Sequence, residues 1–183
     1  MKVITFTISK GGVGKSTMAY NFAGLESKRL SKKKKGVLVI DADSQANLSA
    51  LFDISQDIDV NDEEYLNLSN VLLDDIEPEK VIMKNLSKFI PNMDLIYRDL
   101  DLTAAQSALD ILKIQRINNI SRLKAWIDKN YDYLSSKYAT IICDLGPFFG
   151  SIIKNCLYAS GEIFLVVEIT ISSFRGNKLF MVE

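Results

Sequence analysis

The sequence predicts an α/β fold in which a mainly parallel sheet is flanked by helices. The first observation is a series of short apolar runs, rich in β-branched residues, at positions 3–8, 37–40, 95–97, 139–143 and 163–169. The second is that segments with helical periodicity separate most of these runs. Continuous apolar strands that alternate with helices are typical of a parallel sheet covered on both faces.

The length and composition predict one domain that covers residues 1–183. The chain has 183 residues, 48% of them hydrophobic, and no linker rich in Pro, Gly or Ser divides it. Its net charge of -1 excludes a global attraction to nucleic acid or to an acidic membrane surface, so such binding would need a local patch. No signal peptide and no apolar stretch of membrane-spanning length is visible, so we expect a cytoplasmic protein with no membrane partner.

Few side chains are available for metal binding or redox chemistry. Cys143 and Cys156 lie in apolar surroundings without metal-ligand spacing, which favours buried thiols over a disulfide or a metal site. Reduced thiols suit the cytoplasm. The chain contains 0 histidines, which excludes imidazole acid/base chemistry and leaves an oxygen-liganded ion such as Mg²⁺ as the expected metal.

A glycine-rich loop follows the first predicted strand. Residues 10–17 are Lys-Gly-Gly-Val-Gly-Lys-Ser-Thr, and they fit the phosphate-binding pattern Gly-x-x-x-x-Gly-Lys-Ser/Thr except that Ser9 replaces its first glycine. Glycines allow successive N–H groups to surround phosphate oxygens, and the following helix favours an anion at its N-terminus. The predicted nucleotide-contacting residues are Gly11, Gly12, Val13, Gly14, Lys15, Ser16 and Thr17.

Three side chains of this loop differ in their chemistry. Lys15 can neutralise charge on the β- and γ-phosphates, and the Ser16 hydroxyl can ligate Mg²⁺. Lys10 is an additional lysine at the front of the loop and has no part in these local contacts. The motif is therefore the deviant form of Walker A.

The first helix is predicted to begin at the end of this loop. Apolar residues recur there at helical spacing, namely Ala19, Phe22, Ala23 and Leu30. A lysine run at 32–35 then precedes the second strand. A solvated loop is the simpler interpretation of that run, and contact with DNA phosphates is the alternative.

Acidic residues follow two of the predicted strands. Asp41 and Asp43 come directly after the second strand, and Asp144 follows the strand at 139–143. Ligands of open α/β folds bind at the carboxyl edge of the sheet, where the phosphate-binding loop is also expected. The sequence therefore predicts that these carboxylates lie beside the loop, with Asp144 acting on Mg²⁺ directly or through its waters.

Two further segments are predicted to be structural. The acidic stretch 53–64 is expected to form a surface loop, because it lacks the glycine-punctuated pattern of a calcium site. A long helical region is expected over 103–130, with Trp126 as a packing residue. The other predicted core residues of that region are Leu109, Leu112, Ile117, Ile120, Leu123 and Ile127.

With these motifs the sequence resembles the ParA/MinD group of deviant Walker A ATPases, and among them most closely the ParA-type partition ATPases. The matching segments are 10–17, 37–47, 91–96, 140–147 and 163–176. The resemblance therefore spans nearly the whole chain and implies a P-loop NTPase fold.

The resemblance implies a role for each matching residue. Lys15 and the loop backbone would hold the phosphates of ATP, and Ser16 would ligate Mg²⁺. Lys10 would cross a two-fold interface to the nucleotide of the partner, much as an arginine finger does. Asp43 would position the attacking water, while Asp41 and Asp144 would organise the metal shell.

The resemblance also implies partners and a cellular role. The expected protein is an ATPase for plasmid or chromosome partition that forms a homodimer with ATP. The dimer would bind DNA nonspecifically, associate with the nucleoid, and be reset when a ParB-like partner stimulates hydrolysis. A MinD-like positioning ATPase and a non-hydrolysing nucleotide-binding interaction module are the alternatives.

Three departures from the family pattern qualify these expectations. Ser44 stands where the family usually has proline, and Leu145-Gly146 precede Pro147 where threonine or cysteine and a second proline are common. We therefore expect the loop that contains Ser44 and the loop that contains Gly146 to move differently from the corresponding loops of the family. Family members usually continue beyond the position of Glu183, so we also expect a shortened chain with weaker nucleotide or DNA binding.

Overall fold

In the computed structural model, the described residues form a central 5-stranded sheet with the order β3-β2-β4-β1-β5. Its strands are β1 (Lys2–Thr7), β2 (Gly36–Ala42), β3 (Met93–Ile96), β4 (Tyr138–Leu145) and β5 (Glu162–Leu165). All neighbouring pairs are parallel. The structure describes residues 1–7, 12–52, 66–74, 76–84, 86, 90–98, 102–115, 118–147 and 150–167. The predicted parallel sheet is confirmed.

Helices cover both faces of this sheet. They are α1 (Lys15–Ser31), α2 (Leu68–Leu73), α3 (Pro78–Val81), α4 (Leu102–Ile114), α5 (Arg122–Lys129), α6 (Tyr131–Lys137) and α7 (Ser151–Ala159). Alternation along β2 separates the two layers of the core, because successive side chains of a strand point to opposite faces. Val37 and Val39 belong to the core beside α1, whereas Leu38 and Ile40 belong to the core beside α4, α5 and α7.

Small residues bring α1 close to the sheet. Ala19, Ala23 and Ser27 recur every four residues and are fully buried, which is the spacing of one helix face. Gly24 also lies on the buried side, where a Cβ atom would stand 2.9 Å from Cδ1 of Ile90. The side chains of Phe22 and Phe6 pack with ring centroids 5.5 Å apart. This packing fixes the N-terminus of α1 at the carboxyl end of β1.

The predicted helical region at 103–130 is confirmed in α4 and α5, and it is divided between them, since the described residues 118–121 are not helical. The division is stabilised by Asn155 of α7, whose Oδ1 accepts hydrogen bonds from the first N–H groups of α5, at Arg122 (2.8 Å) and Leu123 (3.2 Å). Asn119, just before α5, donates through Nδ2 to the carbonyl of Leu109 in α4 at 3.2 Å. The helical spacing of apolar residues in the sequence does not predict these hydrogen bonds from side-chain amides.

Most of the predicted core residues of this region are confirmed. Leu109, Leu123 and Ile127 are buried, and Leu112 packs against them. Trp126 is buried as predicted and donates from Nε1 to the carbonyl of Ile76 at 2.7 Å. Ile120 is 38% exposed because it lies in the break between the helices, so its core assignment was wrong. Ile117 and the acidic stretch 53–64 lie outside the described residues.

The two cysteines are buried and unbridged, as expected. Cys143 lies in β4 and Cys156 in α7, and both side chains are fully buried. A hydrogen bond with Cys143, together with burial, raises the pKa of the Cys156 thiol, so this thiol stays protonated. Within the described part of the chain, no helix is both long and apolar enough to span a membrane.

Candidate functional site

The phosphate-binding loop requires glycine at two described positions. Gly12 has φ of 82° and Gly14 has φ of 81°, in the left-handed region that glycine adopts most readily. A Cβ atom built at either residue would meet no atom within 4 Å, so the loop borders open space. Gly14 is also the N-cap of α1, and the helical hydrogen bonds begin with Met18 N–H to the Gly14 carbonyl at 2.9 Å. The backbone therefore offers a helix N-terminus to an anion.

Lys15 is a buried cation between two carboxylates. Its side chain is 6% exposed, and its Nζ lies 2.5 Å from Asp144 Oδ1 and 3.7 Å from Asp43 Oδ2. The Nζ also donates to Ser16 Oγ at 3.3 Å. Placing such a group out of water costs free energy unless opposite charge lies close. The two aspartates supply that charge without filling the space in front of the loop.

Asp144 lies at the end of β4, between β1 and β2. It is paired in register with Phe6 on one side and Asp41 on the other. Burial raises the pKa of Asp144, although the charge of Lys15 opposes that rise. Its Oδ2 atom is buried and has no hydrogen-bond partner among the described residues. An oxygen in this condition has capacity for a further ligand.

Asp43 points into the site from the loop after β2. The residue is 4% exposed, and its Oδ1 accepts the backbone N–H of Gln45 at 3.0 Å. A Cβ atom at Gly146 would stand only 3.0 Å from this Oδ1 and 3.5 Å from the Asp43 Cα. The backbone after β4 therefore approaches Asp43 closely, and a side chain at 146 would force the Asp43 carboxylate to shift.

Asp41 lies behind the site and is held by backbone and hydroxyl donors. Oδ1 accepts the N–H of Asp43 at 3.1 Å, and Oδ2 accepts the N–H and the hydroxyl of Ser49 at 2.8 and 2.7 Å. Burial is the largest influence on this group and raises the pKa of Asp41 to about 6 despite those hydrogen bonds. In this conformation Asp41 connects β2 to the short 3-10 helix that begins at Ser49.

A cleft of about 450 Å³ lies between the loop at 12–17, Asp43 and Pro147. Its lining includes these residues, which the sequence predicts for the site: Gly12, Val13, Gly14, Lys15, Ser16, Thr17 and Asp43. Among the other lining residues, Asn47 lies in the matching segment 37–47 but was given no role, and Leu51 lies outside every matching segment. Lys10 and Gly11 lie outside the described residues.

The donors at the cleft suit a metal that also binds phosphate. Among the described residues, no group of 3 or more His, Cys, Asp or Glu side chains could hold a metal ion alone. The Ser16 hydroxyl and the unpartnered Oδ2 of Asp144 are oxygen donors at the cleft end of the sheet. Mg²⁺ prefers a few protein oxygens together with water and phosphate oxygens. These residues therefore fit a nucleotide-bound Mg²⁺ better than a site made only of protein.

Comparison with known proteins gives matches over nearly the whole chain. The model of the AAA domain family AAA_31 matches residues 1–182. An uncharacterised protein of Methanocaldococcus jannaschii is 32% identical over 181 residues, which cover 99% of this chain and 64% of the relative. The sporulation initiation inhibitor protein Soj of Bacillus subtilis is 29% identical over 175 residues, or 96% and 61% of the two chains. The chain thus spans under two thirds of the length of these two relatives.

Solved structures show the same arrangement of strands and helices. A plasmid partition protein from Borrelia burgdorferi is 27% identical with a TM-score of 0.77, over 99% of this chain and 72% of that one. A cobyrinic acid a,c-diamide synthase from Mycobacterium smegmatis, solved with an ATP analogue and magnesium, has a TM-score of 0.77 at 24% identity, over 100% and 66%. The latter shares the fold alone.

Proposed function

Since this chain belongs to the AAA domain family AAA_31 and, within it, to the ParA-type P-loop ATPases, we propose that it binds ATP with Mg²⁺ and hydrolyses ATP to ADP and phosphate. The observation that carries the proposal is the buried Lys15, held by Asp144 at 2.5 Å beneath an open glycine loop. A lysine in this position can leave the Asp144 carboxylate and bind phosphate oxygens instead.

The backbone of the loop and Lys15 hold the phosphates in this proposal. The loop from Gly11 to Thr17 supplies N–H groups, and the left-handed glycines at 12 and 14 leave room for a phosphate chain. Lys15 then neutralises charge on the β- and γ-phosphates. The synthase from Mycobacterium smegmatis, which has the same fold, was solved with an ATP analogue and magnesium, and this is consistent with such a site.

Ser16, Asp41 and Asp144 are the residues that we propose for the metal. Ser16 and the buried Oδ2 of Asp144 offer direct oxygens, while Asp41 acts from behind through its hydrogen bonds to Asp43 and Ser49. When bound, Mg²⁺ neutralises charge that develops on the transferred phosphoryl group. Asp43 faces the cleft and orients the attacking water, which needs placement more than a strong base.

The proposal extends to a nucleotide-dependent switch. Lys10 acts across a two-fold interface on the nucleotide of the partner, so ATP and dimerisation are coupled. A ParB-like partner resets the dimer, and the dimer binds DNA nonspecifically as a cytoplasmic, nucleoid-associated protein. Lys32, Lys33 and Lys34 are exposed at the far end of α1 and can contact phosphates.

The test measures phosphate release and nucleotide affinity for wild type, Lys15→Ala and Lys10→Ala. We expect Lys15→Ala to abolish ATP binding and Lys10→Ala to prevent dimer formation, measured as mass by light scattering with and without ATP·Mg²⁺. Lys28→Ala is the matched control, because this lysine is exposed in the last turn of α1. Unchanged ATPase activity in both test variants would contradict the proposal.

Two other outcomes would select an alternative function. Nucleotide binding without turnover, and monomers under all conditions, would identify a non-hydrolysing interaction module. ATP-dependent recruitment to vesicles of anionic lipid, without DNA binding, would favour a MinD-like positioning ATPase. Salt-dependent DNA binding by the ATP-bound dimer would support the partition switch.

A further inference from the structure

A single β-turn determines where Asp43 points. The Ala46 N–H donates to the Asp43 carbonyl at 3.0 Å, which closes a turn over residues 43–46. The Gln45 N–H donates to Oδ1 of Asp43 at 3.0 Å. The backbone of the turn therefore holds one oxygen of the same carboxylate that lies 3.7 Å from Lys15 through its other oxygen. If the turn opens, Asp43 loses this orientation.

The turn has little intrinsic rigidity. Ser44 and Gln45 are exposed, so they are not held by core packing. Ser44 occupies the second position of the turn, where proline is favoured because its ring fixes φ near the required value. Serine leaves that dihedral angle unrestricted, so the turn needs support from elsewhere in the molecule.

Arg98 supplies a contact to the turn from the neighbouring strand. It follows β3, which pairs with β2, and its Nη1 donates to the carbonyl of Ser44. The guanidinium thus reaches the Ser44 carbonyl through Nη1. Its buried Nε has no hydrogen-bond partner among the described residues. A hydrogen bond from a charged donor is stronger than one between neutral groups.

We propose that Arg98 is a positioning residue that holds the turn at 43–46, and through it Asp43, without touching the nucleotide. Its effect on turnover rests on the proposed ATPase function, whereas its effect on the turn does not. The phosphate-binding loop is held separately, by Lys15 with Asp144 and by the first hydrogen bond of α1. Loss of Arg98 should therefore lower kcat and leave nucleotide affinity nearly unchanged.

The experiment combines Arg98→Ala with Ser44→Pro. We expect Arg98→Ala to lower kcat about tenfold, the size expected for one charge-assisted hydrogen bond, with a change in the Kd of a fluorescent ATP analogue of less than about twofold. Ser44→Pro should raise kcat in that background about two- to fivefold, because proline preorganises the turn. The hydrogen bonds described for the turn use the N–H groups of Asp43, Gln45 and Ala46, so proline at 44 removes none of them.

A second readout does not depend on turnover. Hydrogen–deuterium exchange of the Gln45 and Ala46 amides should become faster in Arg98→Ala and slow again when Ser44→Pro is added. Arg29→Ala is the matched control, because Arg29 pairs with Glu26 on the surface of α1. This control should leave exchange in the turn unchanged, and Ser44→Pro should not alter its activity more than it alters wild type.

The outcomes separate the two proposals. Unchanged exchange in Arg98→Ala, or a loss of turnover that Ser44→Pro fails to restore, overturns the positioning role. Faster exchange that proline reverses supports that role even if wild type shows no ATP turnover, and in that case the ATPase proposal alone fails. An equal fall in nucleotide affinity and kcat would instead identify Arg98 as a binding residue and overturn the inference.

Discussion

Two groups of buried polar side chains differ in how completely their hydrogen bonds are satisfied. The charged edge consists of Lys15, Asp41, Asp43 and Asp144 at the carboxyl ends of the strands, and the Oδ2 of Asp144 has no partner among the described residues. The amide cluster consists of Asn119, Ser151 and Asn155 between α4, α5 and α7. With the described residues, the side chain of its central Asn155 makes four hydrogen bonds, two as acceptor and two as donor.

This difference separates a site from a structural contact. Burying charge costs free energy, so the charged edge is not explained by stability alone, and its spare oxygen fits a further ligand. A neutral amide with all its hydrogen bonds made stabilises one arrangement of the helices. The amide cluster therefore fixes the architecture, whereas the charged edge retains capacity to bind.

The largest expected effect on stability is in the amide cluster. Asn155→Ala leaves two N–H groups of α5 and the Asn119 carbonyl without their described partner and removes a second donor to the Ser151 carbonyl, so it should lower the free energy of unfolding by about 4 kcal/mol. Urea denaturation followed by circular dichroism measures this change. The exposed Asn21→Ala should differ from wild type by less than about 0.5 kcal/mol. A loss below about 1 kcal/mol for Asn155→Ala would contradict the assigned structural role.

The next effect distinguishes charge balance from binding at the charged edge. Lys15→Met removes the partner of the buried Asp144 and should lower stability by about 3 kcal/mol without nucleotide. Adding Asp144→Asn should recover part of that stability, because it removes the uncompensated charge of Asp144 while that of Asp43 remains. Nucleotide affinity should not return in the double variant. Thermal unfolding and equilibrium nucleotide binding measure the two properties, and parallel recovery of both would refute the distinction.

Tyr138 and Asp94 form a contact that shares features with both groups, because one partner is a neutral hydroxyl and the other is a carboxylate. The Tyr138 hydroxyl donates to Asp94 Oδ2 at 2.7 Å, and burial, aided by Asp94, raises the pKa of Tyr138 well above its usual range. Since the folded pKa exceeds the unfolded value of about 10, the stability from this group is fully present below that pH and is lost progressively as pH rises from there towards the folded pKa.

Tyr138→Phe should therefore flatten the alkaline part of the stability curve. We expect a loss of about 2 kcal/mol at pH 8 and a smaller difference from wild type by pH 11, since wild type has by then lost part of the contribution of the hydroxyl. Thermal melting from pH 8 to pH 11 measures this convergence. A difference that stays constant across the range would show that Tyr138 acts only through packing.

The smallest expected effect is steric and lies beside the amide cluster. A Cβ atom at Gly150 would stand 2.3 Å from Oε1 of Gln106, an atom that accepts the Ile152 N–H at 3.2 Å. Gly150→Ala should therefore cost about 1 kcal/mol, because the amide must move and lose this hydrogen bond. In a Gln106→Ala background the same change should cost little. Additive effects of the two substitutions on urea unfolding would contradict the proposed contact.

Local patterns in the sequence predicted the main fold and several components of the site. Apolar runs alternating with helical segments predicted the parallel sheet, since a strand buried on both faces has little choice of residue type. The glycine loop predicted the position of Lys15 at the start of α1, and acids after two strands predicted that Asp43 and Asp144 would meet near it. Each of these signals is contained within a few consecutive residues.

Contacts between distant residues were decided only by the tertiary structure. Asp41 and Asp43 are equivalent by sequence pattern, yet Ser49 turns Asp41 away while Asp43 lines the cleft. Arg98 reaches the Ser44 carbonyl from another strand, and neither residue alone predicts that contact. The break between α4 and α5 likewise depends on Asn155, more than thirty residues along the chain. Sequence period reports which face is apolar, but hydrogen-bond partners depend on which segments pack together.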